Sequence, residues 1–301
     1  MTRSVCTVCG GITVILMVVG VNTQGFSQRA VKQPAVAGMF YPASREKLSS
    51  VVETFIRETE VPEIKGDIIG VIAPHAGYIY SGKVAGYAFK PLRGKNYQTV
   101  IVMGPSHHTS FRGVSVWKDG FFQTPLGNVP VDEEAASFIL DNFPQAHFYR
   151  QAFLKEHSVE VEIPFLQKTL KDFKIVPVVF GYMSLEDIEE FARLLKELSQ
   201  NRNILVVASS DLSHYHSYSE AKDIDLSTID YIKRMAYQDF YNDCLARKIE
   251  ACGFEPITCL LIYAKDKGAQ AVFLKYLNSG DTSGNFAQVV GYSAFCFVKK
   301  R

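Results

Sequence analysis

Several features that would settle the class of this 301-residue chain at a glance are missing. It has no low-complexity segment, no internal repeat and no block of lysine or arginine. Its formal charge is +1, from 32 basic and 31 acidic side chains, which gives no reason to expect nucleic acid or an anionic membrane surface as a partner. Long apolar runs are lacking too. Gly10 to Val21 is an apolar stretch of 12 residues, short of the roughly 20 that span a bilayer as a helix, so no stable membrane span is expected in a mature chain. Cysteine is sparse. Cys6 and Cys9 read C-x-x-C without a second pair, poor grounds for zinc or redox chemistry. Cys244, Cys252, Cys259 and Cys296 do not form a disulfide framework, and a core of this size needs none. The H-E-x-x-H and D-x-H signatures of zinc hydrolases are absent, which counts against a metal-dependent hydrolase.

What is present begins with a leader that differs from the rest. Arg3 makes a weakly positive start, the apolar stretch suits a signal-peptide h-region, and Gly25-Phe26-Ser27 puts small residues at −3 and −1 of a cleavage site. Residues 1–27 are therefore a signal peptide or an N-terminal extension. Cleavage would make the protein secreted or periplasmic; an uncleaved extension would leave it cytoplasmic.

The remainder, 47% hydrophobic and 21% charged across the whole chain, supports a globular core without a visible linker. Continuous Val/Ile runs at Asp67 to Pro74, Thr99 to Met103, Lys174 to Gly181 and Ile204 to Ser209 read as strands covered on both faces. Ser44, Asp132 and Ser184 each precede an amphipathic helix, ending near Thr59, Asn142 and Leu198. Helical spacing also covers Ser81 to Leu92, Ser219 to Lys248 and Glu255 to Lys267, and Glu156 to Leu170, where Pro164 should end or kink the helix. Gly113 to Trp117 is a short strand. Ala271 to Leu277 and Gln288 to Lys299 are strands joined by the turn Asn278-Ser279-Gly280-Asp281, close enough to pair antiparallel. The expectation is one α/β domain with a mixed sheet flanked by helices.

Three apolar strands end in histidine-bearing loops: V-I-A-P-H-A-G at Val71 to Gly77, M-G-P-S-H-H at Met103 to His108, and A-S-S-D-L-S-H-Y-H at Ala208 to His216. Five of the seven histidines fall there. Any one has a plain structural explanation, but five at strand ends invite a common one, because ligands of α/β sheets bind beyond the carboxyl ends of strands. His75 and His107 are the best metal ligands by position. His107 and His108 cannot both point inward from an extended chain, so one faces the site and the other packs or binds substrate. Asp211 and His214, three residues apart, would share a face on a helical turn, as an oriented acid/base pair or two further ligands; Asp211 as a helix N-cap is the alternative. His216 reads equally well as a solvated loop residue. His157 sits in E-H-S-V-E-V-E, crowded by Glu156, Glu160 and Glu162. Cys252 precedes Gly253 and a helix start, where the helix N-terminus would favour a thiolate, both nucleophile and ligand; a buried inert thiol is the alternative.

The motifs A-P-H-A-G-Y (Ala73 to Tyr78), G-P-S-H-H (Gly104 to His108), E-H-S-V-E (Glu156 to Glu160), S-S-D-L-S-H (Ser209 to His214) and C-G-F-E-P-I (Cys252 to Ile257) resemble those of the Memo family, which includes the AmmeMemoRadiSam system protein B group. The resemblance runs from about Ala35, where V-A-G-M-F-Y-P also fits, to residue 301. It implies a fold like that of class III extradiol ring-cleaving dioxygenases, non-haem iron enzymes. It places His75 and His107 on two metal-ligand histidines, Cys252 where those enzymes carry a glutamate, and His214, with Asp211 in the same motif, on the acid/base histidine. His108, His157 and Tyr78 would then contact substrate. A His/His/Cys set is softer than two histidines and a carboxylate. Iron or copper is expected as cofactor, with zinc as the alternative. The implied activity is metal-dependent redox chemistry on an unidentified small molecule or peptide; the alternative is a non-catalytic binding module on a vestigial dioxygenase fold.

Overall fold

The computed structural model describes residues 30–300. The leader, with Cys6 and Cys9 and the expectation of a signal peptide, lies outside the described residues. Among the described residues, no helix is long and apolar enough to cross a membrane.

The strands are β1 (Val31–Lys32), β2 (Asp67–Ala73), β3 (Thr99–Pro105), β4 (Val114–Val116), β5 (Phe121–Thr124), β6 (Gly127–Pro130), β7 (Ala146–His147), β8 (Lys174–Phe180), β9 (Ile204–Ser209), β10 (His214–His216), β11 (Ala269–Asn278) and β12 (Val289–Lys299). The helices are α1 (Arg45–Arg57), α2 (Tyr78–Phe89), α3 (Glu133–Asn142), α4 (Gln151–Leu154), α5 (Ile163–Thr169), α6 (Leu185–Leu198), α7 (Tyr218–Arg234), α8 (Tyr237–Leu245), α9 (Phe254–Asp266) and α10 (Ser279–Ser283).

Among the described residues, nine strands form one mixed sheet in the order β10-β12-β2-β9-β3-β8-β4-β7, with β11 on the other edge of β12. The central run β2-β9-β3-β8 is parallel, and β12 runs antiparallel to both β2 and β11. A smaller sheet, β1-β5-β6, adjoins the large one where β6 meets β8 and Val131 bridges to Ile175. Helix α2, backed by α1 and α5, packs on β2, β11 and β12. Helix α9, backed by α6, packs on β2, β3, β9 and β11. These helices cover opposite faces, which is why the central strands carry apolar side chains at successive positions: Val100 to Met103 and Leu205 to Ala208 are all fully buried. The architecture is therefore a single α/β domain with a mixed sheet flanked by helices.

Local signals explain most boundaries. The Ser44 and Asp132 side chains accept the N–H groups of Lys47 and Ala135, and Ser184 forms a reciprocal capping box with Asp187. Four expectations need correction. Helix α2 starts at Tyr78 rather than Ser81: Gly77 is its N-cap, and the Gly77 carbonyl accepts the Ser81 N–H (3.1 Å) to close the first turn. Pro164 neither ends nor kinks a helix; it lies in the first turn of α5, where a missing N–H costs nothing, after the 3₁₀ turn Glu160–Glu162. The expected Ser219 to Lys248 helix is two, broken at Met235 in the left-handed conformation (φ 53°). The turn at Asn278 is the short helix α10, capped by the Asn278 side chain.

Candidate metal centre

The adjacent parallel strands β2, β9 and β3 end at one level, so the loops after them converge. His75 follows β2, His107 follows β3, and Ser209 to Asp211 leave β9 between them. Cys252 comes from far along the chain, on the approach to α9. Gly253 sits so close to β9 that a Cβ there would clash with the Ser209 carbonyl oxygen. The Gly253 N–H donates to Ser210 Oγ (2.9 Å), and the Cys252 N–H to the Asp211 carbonyl (3.1 Å). The thiol is thereby brought to His75: Cys252 Sγ lies 3.1 Å from His75 Nε2. Ligand atoms of His75, His107 and Cys252 all lie within 4.8 Å of one another. Donors bound at about 2.0–2.3 Å to one tetrahedral ion would be roughly 3.3–3.7 Å apart, so this set fits a metal with small side-chain adjustments.

The far side of each donor is occupied. His75 Nδ1 meets Ser209 Oγ (2.8 Å), and the His75 N–H donates to Asp211 Oδ1 (2.9 Å). His107 Nδ1 meets Glu156 Oε1 (2.9 Å). Cys252 Sγ accepts the Asp211 N–H (3.3 Å). Such outer contacts set ring orientation and leave the inner nitrogen for a ligand. His107, Glu156 and His157 form a second close group, but the Glu156 carboxylate is already filled. It accepts the His107 ring nitrogen and the N–H groups of His157 and Ser158 on one oxygen, and the His107 N–H on the other (2.6 Å). It orients His107 rather than competing as a ligand.

Electrostatics follow burial. Burial, then the neighbouring imidazoles of His107 and His157, hold His75 neutral well below its usual range. His157, stacked on His107 at 4.5 Å and against Phe40 at 4.6 Å, is pushed down by burial to about 4. Burial opposes ionisation of Glu156, yet the His107 contacts and the Ser158 N–H hold its carboxyl well below the usual range. Burial lifts Asp211 to about 7 against the N–H donors of His75 and Ala76. The Cys252 thiol differs from expectation: burial and the Asp211 carboxylate push it up, outweighing the single N–H donor, so the protein without metal holds a thiol.

The centre opens into a cleft of about 570 Å³ lined by His75, His107, His157, Asp211 and His214 together with the aromatic side chains Phe40, Tyr80, Tyr215 and the buried Tyr292. His214 Nδ1 is held by the Leu212 carbonyl (2.8 Å), which leaves Nε2 for the cleft, and burial lowers its pKa. Asp211 and His214 do not pair. The chain is not helical between them; it runs into β10, and Asp211 instead holds the backbone after β2. Tyr78 is not in the cleft: it is buried beneath it, its hydroxyl donating to the Val161 carbonyl (2.6 Å). His108 is exposed, its ring edge-on to His157 at 6.3 Å, and it is not among the lining residues. His216 pairs with Glu250 (2.9 Å) and Glu220 (3.4 Å) outside the centre.

Several lining residues carry no signal in the sequence. Tyr215 takes a left-handed conformation (φ 64°) at an irregularity of β10, which leaves it 70% exposed at the rim; no motif announces this. Ser279, Asn285 and Gln288 line the cleft from a polar segment with no distinguishing pattern. Cys252 is not among the residues lining this cleft; it lines a second, smaller one with Cys244, Arg247, Glu250 and His214.

A family profile described as Memo-like protein matches residues 32–296. Among similar proteins is a MEMO1 family protein of Nitrosopumilus maritimus, 35% identical over 274 residues, covering 89% of this chain and 100% of that protein. Another, from Desulfurococcus amylolyticus, is 38% identical over 278 residues, covering 88% and 98%. A third, from Thermotoga neapolitana, is 35% identical over 274 residues, covering 87% and 98%. With a profile match over most of its length and relatives matched nearly end to end, the chain belongs to the Memo family.

Proposed function

We propose that the protein binds a first-row transition metal through His75, His107 and Cys252, and that the cleft above it carries out redox chemistry on a small molecule. The observation behind this reading is the convergence of three donor atoms from three distant chain segments, each with its other side already engaged. Iron or copper would supply electron transfer there, whereas zinc would polarise a bound group without it. The chain's own contribution is clear in outline. His214, neutral and with Nε2 free, takes up or delivers a proton in the cleft. Asp211 holds the His75 loop. Phe40 and His157 close one side against water.

Elemental analysis of protein purified without chelators tests the premise. Near-stoichiometric iron or copper, lost in His75→Ala and Cys252→Ala but retained in His108→Ala, is the expected result. Absence of iron, copper and zinc from wild type, even after anaerobic reconstitution, would overturn it. A second reading, a binding module for a peptide or metabolite, draws on the exposed aromatic rim of Tyr80 and Tyr215. His214-dependent oxygen consumption with any of a panel of catechols and thiols favours the enzyme; tight ligand binding without turnover favours the module.

A further inference from the structure

Glu162 is fully buried, and its Oε2 has no hydrogen-bond partner among the described residues. Its Oε1 lies 2.7 Å from Ser209 Oγ, at the end of the middle site strand. Ser209 Oγ has two further close contacts, the Ser158 carbonyl oxygen at 2.6 Å and His75 Nδ1 at 2.8 Å. A hydroxyl has one hydrogen to give and two lone pairs to offer. A peptide carbonyl can only accept, so the Ser209 hydrogen goes to Ser158. The other two neighbours must then both donate, because an acceptor at either place would press lone pair against lone pair at under 3 Å.

We propose that Glu162 is a neutral carboxylic acid whose O–H donates to Ser209, and that Glu162 and Ser209 together lock His75 as the Nδ1–H tautomer with its Nε2 lone pair turned to Cys252 and the metal. The use of this lock rests on the metal-centre reading above; the proton assignment does not. Two further facts agree with it. An ionised Glu162 would leave a charged Oε2 without a donor in the protein interior, which is far more costly than an unpaired acid carbonyl. Burial, reinforced by the Asp211 carboxylate, also drives the Glu162 carboxyl well above the ordinary range. The two ligand histidines are thus oriented by opposite devices, His107 by an ionised carboxylate and His75 by an un-ionised one acting through a serine. Glu162 and Ser209 are positioning residues; neither touches the metal.

The test uses glutamine as the isostere of a protonated acid, since its side-chain N–H can donate to Ser209 as the acid does. Long-range ¹H–¹⁵N spectra of the metal-free protein should show His75 with Nδ1 protonated and Nε2 bare. The wild type minus Glu162→Gln infrared difference spectrum near neutral pH should contain a carboxylic-acid C=O band. Glu162→Gln should keep the tautomer and hold Zn²⁺, in chelator competition, within about 3-fold of wild type. Glu162→Met, which fills the space without donating, should give mixed His75 tautomers and bind Zn²⁺ about 10–100-fold more weakly; if that variant does not fold, Ser209→Ala supplies the comparison. A protonated His75 Nε2 in wild type, a carboxylate band in place of the acid band, or a Glu162→Gln variant as impaired as Glu162→Met would overturn the proposal. Failure of wild type to bind Zn²⁺ with the tautomer and acid band as expected would instead refute the metal reading and the purpose assigned to the lock.

Discussion

Replacing Glu160 by glutamine should be among the most damaging single changes in this protein, although the residue lies outside the metal centre. Its carboxylate is buried and saturated. Oε2 accepts Lys32 Nζ and the Ala35 N–H, each at 2.6 Å, and Oε1 accepts the Tyr41 hydroxyl (2.6 Å) and the Val36 N–H (3.0 Å). The Lys32 side chain is only 3% exposed. Glutamine keeps the volume but removes the charge and presents an N–H group to donors that need an acceptor. Stranding one member of a buried ion pair costs about 3–5 kcal/mol. At about 2–4 °C per kcal/mol for domains of roughly this size, the melting temperature should fall by about 6–20 °C. Urea titrations followed by circular dichroism would measure the loss, and Lys32→Met combined with Glu160→Gln would test its cause. If the stranded ammonium is the main cost, the double variant recovers more than half of the lost stability. A Glu160→Gln loss below about 1 kcal/mol, or a double variant no more stable than Glu160→Gln alone, would refute the reasoning. The segment anchored here carries Phe40 to the cleft wall, so the stability of the fold and the shape of the site are joined at this pair.

Glu156→Gln can satisfy the His107 ring or the surrounding N–H groups but not all of them; metal affinity in chelator competition should fall about 10–100-fold with the fold retained, and an unchanged affinity would mean that Glu156 does not orient His107. His157 has a folded pKa of about 4 against an unfolded value of about 6.5. Its folded pKa is the lower one, so between these values the unfolded chain binds more protons, and stability is lost as pH falls from about 6.5 through about 4. The His157 share of this loss is on the order of 2–4 kcal/mol; it should disappear in His157→Gln, and equal acid limbs for the two metal-free proteins would contradict it. Without metal, Cys252 should react slowly with iodoacetamide because its thiol is un-ionised, and bound metal should suppress the reaction further. The fully buried Cys259 and Cys296 should remain unmodified in both states, as mass mapping would show; labelling of either in the folded protein would contradict their burial.

The strand-end histidines were legible because a covered parallel sheet leaves continuous Val/Ile runs, and the residue after each run stands at the sheet's carboxyl edge. Caps at Ser44, Asp132 and Ser184 were legible for an equally local reason. The three glutamates around His157 were not. Sequence places Glu156, Glu160 and Glu162 together, yet they serve His107, Lys32 and Ser209 respectively. Glu160 and Glu162 lie on a 3₁₀ turn, where successive side chains diverge by about 120°, and their partners are distant in sequence. The Asp211–His214 spacing misled in the same way: three residues mean one face only if the segment is helical, and here it passes into a strand. Tyr78 belongs to a site motif but serves the packing beneath it. Membership in a motif indicates proximity to a site, not exposure to its ligand.

The placement of β12 affects how the protein can be made. The last strand among the described residues is seated between β2, the first strand of the central sheet, and β11. Until Val289–Lys299 has been synthesised, β2 has no partner on one side and β11 has none on its inner side, so a growing chain displays open sheet edges that favour wrong pairing. Closure of the central sheet thus waits for that strand, and the candidate metal donors, the last of them at position 252, are not secured before it arrives. A chain ending at residue 288 should accumulate as an aggregating product that binds no metal, because β2 and β11 then keep open edges.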